Sequence, residues 1–252
     1  MAGPVFEHVP VLCGHRGSGR GVVRGRPENT LEAFRAAVAA GVAWVEVDAR
    51  LTADRVLVAR HDPVAEDGRQ ISELSASQAD ELGLMRVADL LDDLPAGVGV
   101  DIDVKSRLED ALAPPGETTA ALVAAMARRE AARRPILVSS FDASVLTITR
   151  RLAPQLPLGL ITWGAFPLRK AIPAAVHLGA AVAMVNVGSF GLRSPGIAAL
   201  ERDPAVTLDV AHRAGLQVGV WGAGVDDARV LARVGVDCLV VDDDVLAAGL
   251  DE

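Results

Sequence analysis

Residues 44–51 read Trp44-Val45-Glu46-Val47-Asp48-Ala49-Arg50-Leu51, with polar and apolar side chains in alternation. In a β-strand, this period of two places Glu46 and Asp48 on one face and their apolar neighbours on the other. Two adjacent carboxylates repel each other, so we expect a cation between them, and a divalent ion bound through oxygen is the simplest one. A solvated strand face without an ion is the alternative.

The segment after this strand predicts a hairpin. Only residues 52–55 separate it from the β-rich run 56–60, and a parallel crossover needs roughly a dozen residues. We therefore expect an antiparallel hairpin arm with its turn centred between Ala53 and Asp54. This register would place His61 opposite Glu46 and bring an imidazole to the carboxylates.

Eight β-rich runs alternate with alanine-rich helical segments along the chain. We predict strands at 9–13, 44–50, 97–104, 136–139, 158–162, 181–187, 217–221 and 238–241, and helices at 30–40, 88–94, 118–134, 143–152, 168–178, 204–214 and 226–234. Asn29 is the expected cap of the first helix, with Glu32 completing a capping box. The pattern predicts an α/β protein, a (β/α)₈ TIM barrel with a hairpin arm after the second strand. A doubly wound sheet is the alternative, although Gly14-His15-Arg16-Gly17 is not a dinucleotide fingerprint.

The composition indicates one domain, spanning residues 1–252, because half of the residues are apolar and no low-complexity tract interrupts them. The net charge of −8 argues against nucleic acid or an anionic membrane as partner. The N-terminus lacks the order of a secretory signal, so we expect a cytoplasmic protein. Residues 171–192 are uncharged and long enough to span a bilayer, but Pro173, Gly179 and Asn186 favour a helix followed by a buried strand, without stable membrane insertion.

Polar residues follow the predicted strands at the end where a barrel carries its chemistry. They are His15 and Arg16, Glu46 and Asp48, Asp101 with Asp103 and Lys105, Ser139 to Asp142, Trp163, Asn186, Trp221, and Asp242. The run Asp242-Asp243-Asp244 is expected as a solvated loop with a helix cap, and a further metal ligand is the alternative. Cys13 and Cys238 are too few for a disulfide framework and are expected as buried thiols.

The third strand places Asp101, Asp103 and Lys105 on one face, which in a barrel is the interior. Buried and unpaired, each would cost several kcal/mol, so they should pair with one another or with a ligand. Lys105 is one of only two lysines among 25 basic residues. We favour a phosphate contact for this amine, and a salt bridge with Asp103 is the alternative.

Seven motifs in order resemble those of the glycerophosphodiester phosphodiesterases, over about residues 11–243. They are Gly14-His15-Arg16-Gly17, Pro27-Glu28-Asn29-Thr30, Glu46-Val47-Asp48, His61-Asp62, Asp103-Val104-Lys105, Ser139-Ser140-Phe141-Asp142 and Trp221. Each motif alone is weak, and the ordered set is specific.

The resemblance implies metal-dependent hydrolysis of a small-molecule phosphodiester, a glycerophosphodiester, to an alcohol and sn-glycerol 3-phosphate. It implies His15 and His61 as the general acid/base pair, and Glu46, Asp48 and Asp103 as ligands of a divalent ion such as Ca²⁺ or Mg²⁺. It implies Arg16 and Lys105 as phosphate contacts. The pocket would be lined by Phe141, Trp163 and Trp221, and Asn29 would orient a residue of the site. The family usually has glutamate where this chain has Asp103. Because the aspartate side chain is shorter, the metal should be shifted, a water should lie between it and Asp103, or Asp101 should contribute a ligand.

Hydrolysis of a phosphodiester needs charge neutralisation at phosphorus and a proton for the leaving alkoxide. Histidine is the natural donor near neutral pH. We expect His61 as base and His15 as acid, with the reverse assignment open.

Three alternatives stay open at this point. A lysophospholipase D-type reaction would use the same site. A Schiff-base aldolase with Lys105 as nucleophile leaves the carboxylates and the histidines unexplained. A non-catalytic phosphate-binding barrel would not explain the presence of His15 and His61. The alcohol head group, the metal and the oligomeric state also stay open.

Overall fold

The computed structural model describes residues 3–192, 202–248 and 250. The strands are β1 (Val11–His15), β2 (Val22–Val23), β3 (Arg26–Pro27), β4 (Trp44–Leu51), β5 (Leu57–Ala59), β6 (Gly99–Val104), β7 (Ile136–Ser140), β8 (Leu158–Ile161), β9 (Val182–Asn186), β10 (Gln217–Trp221) and β11 (Cys238–Val241). The helices are α1 (Leu31–Ala39), α2 (Ala76–Glu81), α3 (Val87–Asp93), α4 (Thr119–Glu130), α5 (Ala143–Leu152), α6 (Leu168–His177), α7 (Pro204–Arg213), α8 (Val225–Val234) and α9 (Asp243–Ala248).

Eight of the strands form a closed parallel barrel in the order β1-β4-β6-β7-β8-β9-β10-β11. The barrel closes because β11 pairs with β1, with Val11 opposite Cys238 and Gly14 opposite Val241. The predicted (β/α)₈ barrel is thus confirmed, and closure excludes the open doubly wound sheet. The hairpin arm is present as well, because β5 pairs with β4 in the antiparallel sense.

The barrel interior near the start of the strands is filled by large side chains facing glycines. A Cβ on Gly99 would lie 2.3 Å from the Trp44 ring, and one on Gly219 would lie 2.3 Å from the Met184 sulfur. Phe6 covers this end and packs edge-on against Trp44, with ring centroids 5.1 Å apart. Because this end of the barrel is packed, room for a ligand is found towards the other end of the strands.

The outward faces of the strands form the larger core with the helices. Val45, Val47 and Ile102 are fully buried in it, since α1 packs on β4 and α4 packs on β6. The two faces of β4 therefore differ as the alternation predicted, with valines towards the helices and carboxylates towards the barrel axis. Cys13 and Cys238 are buried free thiols, as expected.

The predicted register of the hairpin arm is wrong by one residue. Ala49 lies opposite Ala59 and Leu51 opposite Leu57, so the turn is centred on Asp54. The loop holds three residues instead of two, and it ends on Arg55 in the left-handed region, at φ 69°. His61 consequently does not lie opposite Glu46, and it reaches the site from beyond the end of β5.

The predicted cap of α1 is also wrong. Thr30 caps the helix, accepting a hydrogen bond from the Ala33 N–H at 3.3 Å, whereas Asn29 turns inwards with φ 57°. The elements that were not predicted include the hairpin of β2 and β3 and the helix α2. The capping box of Ser75 and Gln78 that begins α2 is a sequence signal that could have revealed this helix.

Residues 171–192 form the predicted helix and buried strand, α6 and β9, followed by a 3₁₀ turn at Val187–Phe190. Within the described part of the chain, every helix is too short or too polar to cross a membrane.

Candidate active site

A cavity of about 660 Å³ opens at the carboxyl ends of the barrel strands. Its walls include His15, Arg16, Glu46, Asp48, His61, Asp103, Lys105, Phe141, Trp163 and Trp221. The structure therefore brings these predicted site residues together in one place. Asn29, the remaining one, is buried behind the wall and contacts Asp48.

Three carboxylates form a buried cluster in the cavity floor. Asp48 on β4 is the register partner of Asp103 on β6, and Glu46 lies two residues before Asp48. Each side chain offers an oxygen atom within 4.8 Å of the others. Burial, and then the charges of Asp48 and Asp103, raise the pKa of Glu46 well above its ordinary value. The cluster therefore concentrates more negative charge than a buried site tolerates without cations.

Two cationic side chains offset part of this charge. Lys105 Nζ lies 3.1 Å from Asp48 Oδ1 and also donates to Asp103, and Arg16 Nε lies 3.2 Å from Asp48 Oδ2. Burial raises the pKa of Asp48, but the charges of Lys105 and Arg16 and a hydrogen bond from Asn29 bring it below its ordinary value. The salt bridge to Asp103, which was the alternative for Lys105, is thus present, and the amine still lines the cavity.

The loop between β1 and α1 holds Arg16 through its backbone. Arg16 and Asn29 both adopt positive φ, at 49° and 57°, and the Asn29 N–H donates to the Arg16 carbonyl at 3.0 Å. The Arg16 N–H donates to Glu46 at 3.0 Å, and Asn29 Nδ2 donates to Asp48 at 2.9 Å. Glu28 accepts from Arg16 Nη1 at 3.0 and 3.1 Å. Asn29 therefore contacts a carboxylate of the predicted site, and Glu28 contacts Arg16, an ion pair that the sequence motifs did not indicate.

The residues of the cluster fit a divalent cation. Asp103 Oδ1 is buried and has no hydrogen-bond partner among the described residues, so one acceptor of the cluster is unsatisfied. Carboxylate oxygens are the ligands that Ca²⁺ and Mg²⁺ prefer. Asp101 is not part of the cluster. It accepts from Ser139 Oγ at 2.6 Å, and burial raises its pKa to about 8, which leaves it mostly neutral at pH 7.

Both histidines have a carboxylate on Nδ1. His15 Nδ1 lies 2.8 Å from Asp242 Oδ1, and His61 Nδ1 lies 2.8 Å from Asp62 Oδ1. This leaves Nε2 of each ring for other partners. Asp242 therefore differs from the predicted solvated loop residue, because it is paired with His15 and with Arg20. A helix, α9, begins at Asp243, so Asp243 and Asp244 lie in its first turn and not in the expected loop.

Aromatic rings form the apolar wall of the cavity. The Phe141 ring lies between two tryptophans, with centroid distances of 4.4 Å to Trp163 and 6.1 Å to Trp221. Lys105 Nζ lies 5.2 Å from the Phe141 centroid. Trp163 is 68% exposed and stands at the mouth. The cavity thus presents charged groups on one side and aromatic surface on the other.

Comparison with known proteins gives a family match over most of the chain. The model of the glycerophosphoryl diester phosphodiesterase family matches residues 15–245. Glycerophosphocholine phosphodiesterase of Homo sapiens is 24% identical over 294 residues, which cover 93% of this chain and 44% of the human protein. The chain thus spans less than half the length of this relative.

Solved structures share the fold over nearly the whole chain. A glycerophosphodiester phosphodiesterase from Thermotoga maritima is 20% identical, with a TM-score of 0.74 over 97% of this chain and 100% of that chain. A phosphodiesterase from Oleispira antarctica, in complex with its product sn-glycerol-3-phosphate, is 22% identical, with a TM-score of 0.72 over 95% of this chain and 96% of that chain. At these identities the likeness shows the barrel fold alone.

Proposed function

The chain belongs to the glycerophosphoryl diester phosphodiesterase family, and from this membership we propose that it hydrolyses glycerophosphodiesters to an alcohol and sn-glycerol 3-phosphate in a metal-dependent reaction. One observation carries the proposal. A single cavity joins a buried cluster of three carboxylates, the two cationic side chains that pair with this cluster, and two histidines whose Nε2 atoms are not used by their carboxylate partners.

Glu46, Asp48 and Asp103 would hold the divalent cation, Ca²⁺ or Mg²⁺. When bound, this ion supplies positive charge to the phosphate oxygens as negative charge builds up on them. The unsatisfied Asp103 oxygen and the raised pKa of Glu46 support this assignment, because both indicate carboxylates that lack sufficient positive partners.

Arg16 and Lys105 would contact the non-bridging oxygens of the diester. Both cations are held in place before substrate arrives, Arg16 by Glu28 and Asp48, and Lys105 by Asp48 and Asp103. Cations that are already oriented stabilise developing charge without reorganising at the moment of reaction.

In the proposed reaction, His61 Nε2 takes the proton of the attacking hydroxyl, which belongs to water or to the glycerol carbon beside the phosphate. The attacking oxygen forms a bond to phosphorus, the P–O bond to the alcohol breaks, and His15 Nε2 gives its proton to the departing oxygen. When water attacks, this step gives sn-glycerol 3-phosphate directly. When the glycerol hydroxyl attacks, it gives a cyclic phosphate, which a water molecule then opens with the two histidines in exchanged roles. Asp62 and Asp242 hold the two rings by their Nδ1 atoms, so that Nε2 of each ring is available to the substrate. The assignment of His61 as base is supported by exposure, because its side chain is 40% exposed and that of His15 only 15%. The more exposed ring is the one better placed to exchange a proton with solvent.

The aromatic wall would hold the apolar part of the substrate, and its extent favours a second candidate. Trp163 lines the cavity and is 68% exposed, and Leu108 and Leu112, on the segment after β6, are 88% and 90% exposed. Leu108 lines a second cavity of about 380 Å³ that shares Lys105 and Ser106 with the first. An acyl chain could lie along this surface, so a lysophospholipase D-type reaction on the same site is the second candidate.

The environment of Lys105 argues against an aldolase. Burial lowers the pKa of this amine, but the charges of Asp103 and Asp48 raise it above its ordinary value overall. A Schiff-base nucleophile must be neutral at working pH. The two carboxylates instead favour the ammonium form, which suits a phosphate contact.

The experiment is a substrate panel. Glycerophosphocholine, glycerophosphoethanolamine and lysophosphatidylcholine are incubated with the protein after chelation and after each divalent ion is restored, and released glycerol phosphate, choline and lysophosphatidic acid are measured. We expect release of sn-glycerol 3-phosphate from a glycerophosphodiester only with added cation. Lysophosphatidic acid as the main product would favour the second candidate. Full turnover in the presence of chelator would contradict metal dependence, and no turnover of any diester would contradict the proposal.

A further inference from the structure

We infer that Asp242 is a positioning residue for His15, holding the imidazole by Nδ1 so that Nε2 exchanges the proton of the reaction. The inference deepens the proposed function and rests on it. The two residues are 227 positions apart in the chain, and the side chains meet at 2.8 Å.

Barrel closure brings the two residues together. β1 ends at His15 and β11 ends at Val241, and these strands are parallel neighbours with Gly14 opposite Val241. His15 directly follows Gly14, and Asp242 directly follows Val241. The two residues therefore lie side by side at the same end of the barrel. Because β1 and β11 are the first and last strands among the described residues, they become neighbours only when the barrel closes.

Asp242 is anchored on several sides. Its second oxygen is paired with Arg20 Nε at 3.4 Å, and its backbone carbonyl accepts N–H groups from Val245 and Leu246 at 3.2 and 3.3 Å. Gly19, at φ 127°, packs directly on it, because a Cβ on this glycine would lie 3.0 Å from the Asp242 Cβ. A carboxylate held in this way restricts the ring that it binds.

The hydrogen bond decides which ring nitrogen handles the proton. When Nδ1–H donates to Asp242, the neutral ring carries its lone pair on Nε2, and the protonated ring carries its second N–H there. Burial raises the pKa of Asp242, but the bond from His15 and the charge of Arg20 bring it below its ordinary value, so the carboxylate is ionised at neutral pH.

The other histidine does not depend on a distant partner. His61 is paired with Asp62, its neighbour in sequence, whose side chain is 66% exposed. The Asp242 side chain is 33% exposed, so water screens its bond to His15 less. Of the two carboxylates, Asp242 is therefore the one whose removal should alter the tautomer of its histidine more.

The kinetic test compares Asp242→Asn with Asp243→Asn. Both changes remove one negative charge, and Asp243 is paired with Arg24 at 2.8 Å instead of with a histidine. For Asp242→Asn we expect kcat to fall by about 10²-fold with KM within about twofold. This is less than the ~10⁴-fold of a fully buried triad aspartate, because Asp242 is partly exposed. Asp243→Asn should keep wild-type kcat, and equal kcat in Asp242→Asn and the wild type would overturn the inference.

A spectroscopic test does not depend on turnover or on the stability of a variant. The tautomer of each histidine can be read from the ¹⁵N spectrum of the wild-type protein above neutral pH. The His15 signals are assigned as those that disappear in His15→Gln. These signals should show the Nδ1–H tautomer. Asp242→Asn should shift the ring towards a mixture, and Asp243→Asn should not. A wild-type His15 with the proton on Nε2 would overturn the inference even in an active enzyme. An Nδ1–H signal in a protein that turns over no diester would instead uphold the contact and contradict the proposed function.

Discussion

Replacing Lys105 by methionine should destabilise the metal-free protein by about 3–5 kcal/mol, the usual cost of breaking a buried ion pair from one side. The ammonium lies 3.1 Å from Asp48 and is also paired with Asp103, and these carboxylates are 1% and 7% exposed. Methionine keeps much of the apolar stem and removes the charge, so the carboxylates lose their partner without a large cavity. For a chain of this length, the loss corresponds to a fall of about 10 °C in Tm.

The loss should depend on pH through Asp48. Although burial raises the pKa of this carboxyl, Lys105 and its other partners lower it below the ordinary value. A carboxyl with a lowered pKa adds stability that is present above its unfolded pKa of about 4 and disappears as the pH falls through the folded pKa. Without Lys105 this contribution shrinks. The difference in stability between variant and wild type should therefore be largest near pH 7 and narrow below about pH 4.

The assay is thermal and urea unfolding of the chelated protein, with Lys170→Met as control. Lys170 is the other lysine of the chain and lies exposed on α6. Added Ca²⁺ or Mg²⁺ should stabilise the Lys105→Met variant, by about 2.7 kcal/mol at a concentration 100-fold above Kd. The role of Lys105 as counter-charge of a metal cluster would be refuted by two results together. The Tm of Lys105→Met would lie within 2–3 °C of that of the control, a difference of about 1 kcal/mol, and divalent ions would leave this Tm unchanged.

Two further outcomes are expected. His15→Ala and His61→Ala should each lower kcat by at least ~10²-fold with the melting curve retained, because each removes a proton-transfer group. The matched change His177→Ala, on the exposed side of α6, should leave kcat unchanged, and near wild-type turnover in either site variant would contradict the acid/base pair. Gly99→Ala should destabilise by about 1–3 kcal/mol in urea unfolding, because its Cβ would overlap the Trp44 ring. Gly97→Ala, whose Cβ meets nothing within 4 Å, should cost little, and equal stability of the two variants would contradict this packing.

The barrel strands could be predicted from sequence because each is a short apolar run between helical segments. Residues 217–221 and 238–241 were predicted with the bounds of β10 and β11. The hairpin register could not be predicted, because it depends on whether Arg55 adopts the left-handed conformation, which only glycine signals clearly. The prediction of the cap of α1 failed because it also depends on a contact that is distant in sequence. Asn29 and Thr30 are both good caps, and the choice between them is made by Asp48, which binds Asn29 from another strand.

Most of the site could be predicted, because its residues fall at the ends of recognisable strands. The contacts between them could not. The predicted barrel makes its first and last strands neighbours, but Asp242 was expected in a solvated loop, and only the structure shows that its side chain meets His15. The contact of Arg16 Nη1 with both oxygens of Glu28 similarly depends on two positive-φ residues that fold the loop back. Sequence patterns indicated which residues line the site, and side-chain partners needed the structure.

The most direct test is diffraction from crystals grown with Mn²⁺ and sn-glycerol 3-phosphate, with anomalous scattering used to locate the metal. We expect one manganese peak at Glu46, Asp48 and Asp103, and a phosphate against Arg16 and Lys105. A manganese peak at other residues, or a phosphate outside the cavity of these side chains, would contradict the assignment of this cavity as a metal-dependent phosphodiesterase site.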